Sequence, residues 1–141
     1  FTAVDSVDSV KLAERLDLAA RNARKKLGVL IEINVGGEAA KSGVAPESEE
    51  LQELLKAAPR FDALEFRGLM TVPPYTEDPE GAHLFFRQLC ELRDAIAARK
   101  LSDIRMDVLS MGMSHDFEVA IEHGSTCVRV GTAIFGQREI R

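Results

Sequence analysis

Two hydrophobic periods alternate along this chain, one of about 3.6 residues and one of continuous apolar runs, and their order predicts the fold class. Residues 1–4 read as a short strand. Val7, Val10, Ala13, Leu16, Ala19 and Ala23 then recur at helical spacing, with Ser6 or Asp8 as cap, Arg24-Lys25-Lys26 in the last turn and Gly28 as the stop. Residues 29–35 form a nearly unbroken β-branched run, which suits a strand buried on both faces. A glycine-rich loop, 36–44, leads to Pro46 in the first turn of a second helix, where Glu47, Glu49 and Glu50 favour the positive end of the helix dipole. Its buried stripe is Leu51, Leu54, Leu55 and Ala58, and Pro59 ends it.

The alternation continues. Residues 64–72 predict a third strand, broken by Pro73-Pro74, and Asp78-Pro79 opens a long helix with the stripe Phe85, Leu89, Leu92 and Ile96. Residues 106–110 predict a fourth strand. Ser114 is placed to cap a short helix that turns Phe117, Ala120 and Ile121 inward and stops at Gly124. Residues 126–130 make a fifth strand, followed by a short turn or helix at 131–136. Strand–helix alternation with apolar strands predicts an α/β fold, a parallel sheet covered by helices. Five such units fit either a small doubly wound sheet or part of a closed (β/α)8 barrel, which takes about 250 residues when whole.

Composition narrows the function classes. The 141 residues are 45% hydrophobic and 29% charged with a net charge of −5, so a nucleic-acid or anionic-membrane role has no electrostatic support. No run approaches the roughly 18 apolar residues that span a bilayer. Cys90 and Cys127 lie far apart without metal-ligand spacing, as expected of reduced packing residues in a cytoplasmic protein. His83, His115 and His123 share no spacing; they read as surface or capping residues and support no metal site.

In both architectures ligands bind at the C-terminal ends of the strands. Those ends carry Asn34, Met70, Ser110, Ser114, Arg129, Gly131 and Thr132. Two clusters suit a phosphate: Ser114 after the fourth strand, and Gly131-Thr132 after the fifth, where glycine lets the backbone approach closely. Barrels frequently grip phosphate between the loops of their last two strands. Plainer readings stand beside these. Ser114 serves as a cap only, Arg129 makes a buried ion pair with Glu65 or Asp107, Asn34 makes a turn hydrogen bond, Met70 packs in the core, and Lys41 is a solvated loop lysine.

The same strand ends carry a resemblance. Val29-Leu30-Ile31-Glu32-Ile33-Asn34, Lys41-Ser42-Gly43, Phe66-Arg67-Gly68-Leu69-Met70-Thr71, Leu109-Ser110-Met111-Gly112-Met113-Ser114, and the run from Gly124 through Arg129-Val130-Gly131-Thr132 to Gly136 follow one another in order. Together they resemble the pyridoxal phosphate homeostasis protein family. The resemblance implies a barrel related to the N-terminal domain of alanine racemase, with this chain supplying strands four to eight. It implies pyridoxal 5′-phosphate as cofactor, held at its phosphate by Ser114 and Gly131-Thr132. Arg129 would face the pyridine nitrogen, with Asn34, Met70 and Ser110 lining the ring pocket. The family's Schiff-base lysine lies in a V-S-K-T-K-like motif at the end of the first strand; no such motif occurs here, and Lys41 does not take its place. The natural protein is therefore expected to continue upstream through strands one to three, since a five-stranded arc has two unpaired edges. The implied role is to buffer the cofactor and pass it to apo-enzymes, without dedicated catalysis. The alternatives are a racemase or decarboxylase of the same barrel class, or a barrel enzyme that binds a phosphorylated substrate without pyridoxal phosphate.

Overall fold

The computed structural model describes residues 1–37 and 42–139; Lys41 lies outside them. Five parallel strands run in the order β1-β2-β3-β4-β5: β1 (Ala3–Val7), β2 (Leu27–Glu32), β3 (Leu64–Met70), β4 (Ile104–Met113) and β5 (Cys127–Arg129). The helices between them are α1 (Val10–Asn22), α2 (Glu49–Ala57), α3 (His83–Ala98) and α4 (Phe117–Glu122), with α5 (Thr132–Phe135) after the last strand. This order separates the two architectures that the pattern left open. A doubly wound sheet reverses its strand order partway. Here each strand pairs with the next in sequence, so right-handed crossovers put every connecting helix on one side. The result is an arc of barrel, with helices outside and a concave face inside.

The core follows from that geometry. Leu27, Val29, Ile31 and Ile33 of β2 and its extension enter one buried cluster with Leu51, Leu54 and Leu55 of α2, Phe66 and Leu69 of β3, Phe86 and Leu89 of α3, and Leu109 and Met111 of β4. Because strand side chains alternate, Leu30, Glu32 and Asn34 point the other way, as do Met70 and Ser110. Burying a leucine-sized side chain is worth about 1.5–3 kcal/mol, so α2 and α3 are held on the sheet chiefly by these stripes.

The register aligns one transverse row of the concave face: Glu32 pairs with Met70, Met70 with Ser110, and Ser110 with Cys127. Gly68 permits the close approach of β3 and β4. A Cβ there would lie 1.8 Å from the Val108 carbonyl oxygen.

Several local expectations shift. Ser9, not Ser6 or Asp8, caps α1, accepting from the Leu12 amide at 3.0 Å, and Val7 ends β1 instead of opening the helix. The helix stops at Asn22, with Arg24 taking positive φ, so Gly28 belongs to β2. The buried stripe of α1 runs through Ala13, Asp17 and Ala20, leaving Ala19 and Ala23 exposed. Asp17 is 1% exposed and accepts the Ala63 amide at 2.9 Å, which ties α1 to the turn before β3. Ser48 caps α2 ahead of Glu49 and Glu50. Asp78-Pro79 opens a turn of 3-10 helix before α3 begins at His83, and Phe86 joins the α3 stripe. In α4 the buried residues are Val119 and Ala120, while Ile121 is exposed.

Candidate functional site

The C-terminal ends of β4 and β5 meet. Ser114 does not cap the helix that follows it; Asp116 stands at the N-cap of α4 and accepts the Met113 amide at 2.8 Å. The Ser114 hydroxyl crosses instead to the next strand end, where it accepts the Gly131 amide at 2.9 Å and the Ala133 amide at 3.1 Å. Ser114 thus caps α5, across the gap between two strands. Three features fix it there. Gly112 takes φ +103 and packs so tightly on α4 that a Cβ would meet the Ala120 Cβ at 2.7 Å. The Ser125 hydroxyl donates to the Met111 carbonyl at 2.7 Å, and the Ser125 amide to the Ala120 carbonyl at 3.1 Å.

Gly131 has no heavy atom within 4 Å of the place where a Cβ would stand, and residues 131–136 are exposed. Amides that already converge on one oxygen, with open space beside them, are a donor set for an anion. Thr132 begins α5 at the same place.

Arg129 lies on the concave face, two residues along β5 from Cys127. Its Nη2 donates to the Thr71 carbonyl at 2.7 Å, so the side chain spans β4 to reach the end of β3. The buried ion pair with Glu65 or Asp107 is not formed. Glu65 pairs with Arg67 at 2.7 Å, and Asp107 with Arg105 at 2.7 Å; the Arg67 guanidinium holds the Glu65 carboxyl below its usual value. Burial lowers the pKa of Arg129, opposed by the Cys127 thiol, Asp5, Glu32 and Asp116. Its Nε is buried with no hydrogen-bond partner among the described residues, and so is the Ser110 hydroxyl. A buried polar atom without a partner costs about 1–3 kcal/mol; two on one face mark a place where a further group would supply bonds.

Met70 is 7% exposed and sits beside Ser110 in the transverse row. It is a buried hydrophobic residue, as the plainer reading has it, but it lies outside the helix-packed cluster. Asn34 follows β2 on the same face, its amide donating to the Val44 carbonyl at 2.9 Å. The Thr71 hydroxyl, fully buried, donates to the Ile33 carbonyl at 2.7 Å and locks the ends of β2 and β3 together. Thus Asn34, Met70, Ser110 and Arg129 share the concave face, and Ser114, Gly131 and Thr132 form its upper rim.

Some neighbours were not legible in the sequence. Tyr75 stacks on His115 with ring centroids 4.7 Å apart, and the His115 Nε2 lies 2.6 Å from the Thr76 carbonyl. His83 and His123, which share no spacing in the sequence, meet at 2.7 Å, with Glu80 2.5 Å from the other His83 nitrogen. Among the described residues no group of three or more His, Cys, Asp or Glu is placed to hold a metal ion, and no helix is long and apolar enough to cross a membrane. A cavity of about 390 Å³ opens at the opposite end of the strands, lined by Lys26, Phe61, Asp103 and Arg105 among others. Its place at the strand N-termini argues against a ligand site in this class of sheet.

Comparison with known proteins agrees with the fold. The family described as alanine racemase, N-terminal domain, matches residues 3–139. The chain is 46% identical over 136 residues to the pyridoxal phosphate homeostasis protein of Aquifex aeolicus, covering 96% of this chain and 58% of that protein. It is 40% identical to the protein of the same name from Bos taurus, covering 96% of this chain and 50% of the relative. The chain therefore spans little more than half the length of these relatives. Among solved structures, PipY of Synechococcus elongatus PCC7942, with PLP bound, superposes with a TM-score of 0.82 at 30% identity, over 96% of this chain and 61% of that one. An alanine racemase of Clostridium difficile 630 shares the fold alone, with a TM-score of 0.74 at 16% identity.

Proposed function

The chain belongs to the family of the alanine racemase N-terminal domain, and from that premise we propose that it is the C-terminal part of a barrel that binds pyridoxal 5′-phosphate, buffers it and delivers it to apo-enzymes. The observation that carries this reading is the convergence of Ser114, Gly131 and Ala133 at one strand end, with the unpartnered Arg129 Nε and Ser110 hydroxyl on the adjoining concave face. An anion-binding rim beside a half-buried guanidinium suits a phosphate ester attached to a heteroaromatic ring.

The residues present fit that cofactor. Gly131, Thr132 and Ser114 would hold its phosphate, and Asn34, Met70 and Ser110 would border its ring. Bound, the cofactor supplies a reactive aldehyde and an electron-accepting ring. Arg129 would stand at the ring nitrogen as a donor that is already fixed by the Thr71 carbonyl. A cationic donor there disfavours a second positive charge on the ring, which restrains the ring as an electron sink and suits storage over catalysis.

The whole protein would close the arc with three further βα units upstream, among them the lysine that links the cofactor. Support comes from the length of the relatives and from the open concave face. Glu65, Arg67, Arg105 and Asp107 are substantially exposed there, and Ile134 and Phe135 of α5 stand 65% and 85% exposed. The cytoplasm is the proposed compartment, in keeping with two free cysteines, Cys90 and Cys127.

The test is a titration of the complete protein with pyridoxal 5′-phosphate, followed by absorbance, for wild type and Arg129→Ala. Saturable binding that weakens at least about tenfold in the variant is expected, because a hydrogen bond to a charged group contributes about 1.5–3 kcal/mol. Equal binding by both would remove Arg129 from the site.

A further inference from the structure

Glu32 is a carboxylate 7% exposed on the concave face, whereas the side chains of Glu65 and Asp107 are 40% and 61% exposed. A charge so buried needs a partner. One is the Ser42 hydroxyl, which donates to Glu32 Oε2 at 2.7 Å. Ser42 belongs to the loop after β2, and the next residue, Gly43, donates its amide to Asp8 at 3.2 Å. That loop segment is therefore bound at two successive residues. The register puts Glu32 in the same transverse row as Met70 and Ser110, and the Arg129 guanidinium reaches the end of β3 just beyond that row. An acid and a base thus approach from opposite ends of one layer, on either side of Met70 and Ser110.

We infer that Glu32 is a positioning residue of the proposed cofactor site: its carboxylate holds the Arg129 guanidinium over the Met70–Ser110 layer, and through Ser42 it couples that guanidinium to the loop after β2. The inference rests on the function proposed above and adds a residue to it. Other groups act on Arg129 as well: Cys127, Asp5 and Asp116. Asp5 is exposed on the edge strand, where water screens its charge, and Asp116 is engaged by the Met113 amide. Attraction between charges grows as the medium between them dries, and Glu32 is the buried member of the set. Its influence on Arg129's charge agrees with this placement. The carboxylate keeps the guanidinium from swinging towards solvent, leaving its Nε available on the concave side.

The experiment compares wild type, Glu32→Gln and Asp5→Asn in the complete protein, with pyridoxal 5′-phosphate and inorganic phosphate as separate probes. Glutamine preserves volume and still accepts the Ser42 hydroxyl, so the fold and the loop are retained. Glu32→Gln is expected to weaken pyridoxal 5′-phosphate about two- to fivefold, the scale of one partly screened charge pair, and to leave inorganic phosphate unchanged. The Arg129 Nε–H resonance should move in Glu32→Gln without any ligand, and stay in place in Asp5→Asn. Equal weakening of both probes would show a merely structural role and overturn the inference. So would unchanged affinities with an unmoved resonance. If wild type bound neither probe, the functional reading itself would fall; a normal wild type with an inert Glu32→Gln would remove only Glu32.

Discussion

Replacing Ser114 by alanine removes one oxygen that accepts two amides, from Gly131 at 2.9 Å and Ala133 at 3.1 Å. Two consequences can be separated. Without ligand, the loss resembles removal of a helix N-cap, typically about 1 kcal/mol. Both amides belong to exposed residues, so water replaces the lost acceptor and the low end of the range, about 0.5 kcal/mol, applies. With a phosphate present, the hydroxyl would donate to an anionic oxygen, a bond worth about 1.5–3 kcal/mol. Part of that is offset, because the anion competes with Ser114 for the same amides and the alanine variant has already released them. The net expectation is about 1–2 kcal/mol, or roughly five- to thirtyfold weaker binding of both pyridoxal 5′-phosphate and inorganic phosphate. Equilibrium titration of the complete protein measures the affinity, and thermal unfolding measures the stability. Unchanged affinity for both ligands, or a loss for pyridoxal 5′-phosphate with none for inorganic phosphate, would refute the assignment of Ser114 to the phosphate end.

Two further substitutions test the scaffold. Gly68→Ala would place a Cβ 1.8 Å from the Val108 carbonyl oxygen and 2.7 Å from its carbon, both backbone atoms of the paired strand; a loss of at least about 3 kcal/mol or failure to fold is expected by chemical denaturation, and a near-wild-type melting curve would contradict the β3–β4 register. Asp17→Ala strands the buried Ala63 amide, and should cost about 1–3 kcal/mol, while the Arg21 ion pair, whose cation is 57% exposed, adds little. A change below about 0.5 kcal/mol would mean that water reaches that amide.

The alternation of strands and helices was readable because each strand has its own apolar run and each helix its own stripe. Strand order was not, since local pattern does not record which strands pair. Element ends were blurred for specific reasons. Gly28 looks like a helix stop but lies in a strand, because Arg24 made the turn with positive φ. Asp17 reads as a solvent residue until the Ala63 amide is found beside it. Ser114 shows the sharpest difference. Sequence proximity assigned its hydroxyl to α4, whereas the fold gives it to α5, seventeen residues away. His83 and His123 are forty residues apart and met only through the packing of α3 beside α4. The candidate residues could be chosen because ligands gather at the C-terminal ends of parallel strands, and because the resemblance implied roles for those ends. Glu32 escaped notice, since one acidic residue in an apolar strand gives no clue to the charge it will face.

The most direct examination of the proposed phosphate cradle follows the backbone amides of Gly131 and Ala133 and the Arg129 Nε–H by nitrogen–proton correlation spectroscopy, while pyridoxal 5′-phosphate is added to the complete protein. All three resonances should move together, saturating at one ligand concentration, and inorganic phosphate alone should move the two amides but not Arg129. Binding that leaves those amides in place, and instead shifts Lys26, Phe61 and Arg105 at the other end of the strands, would contradict the site.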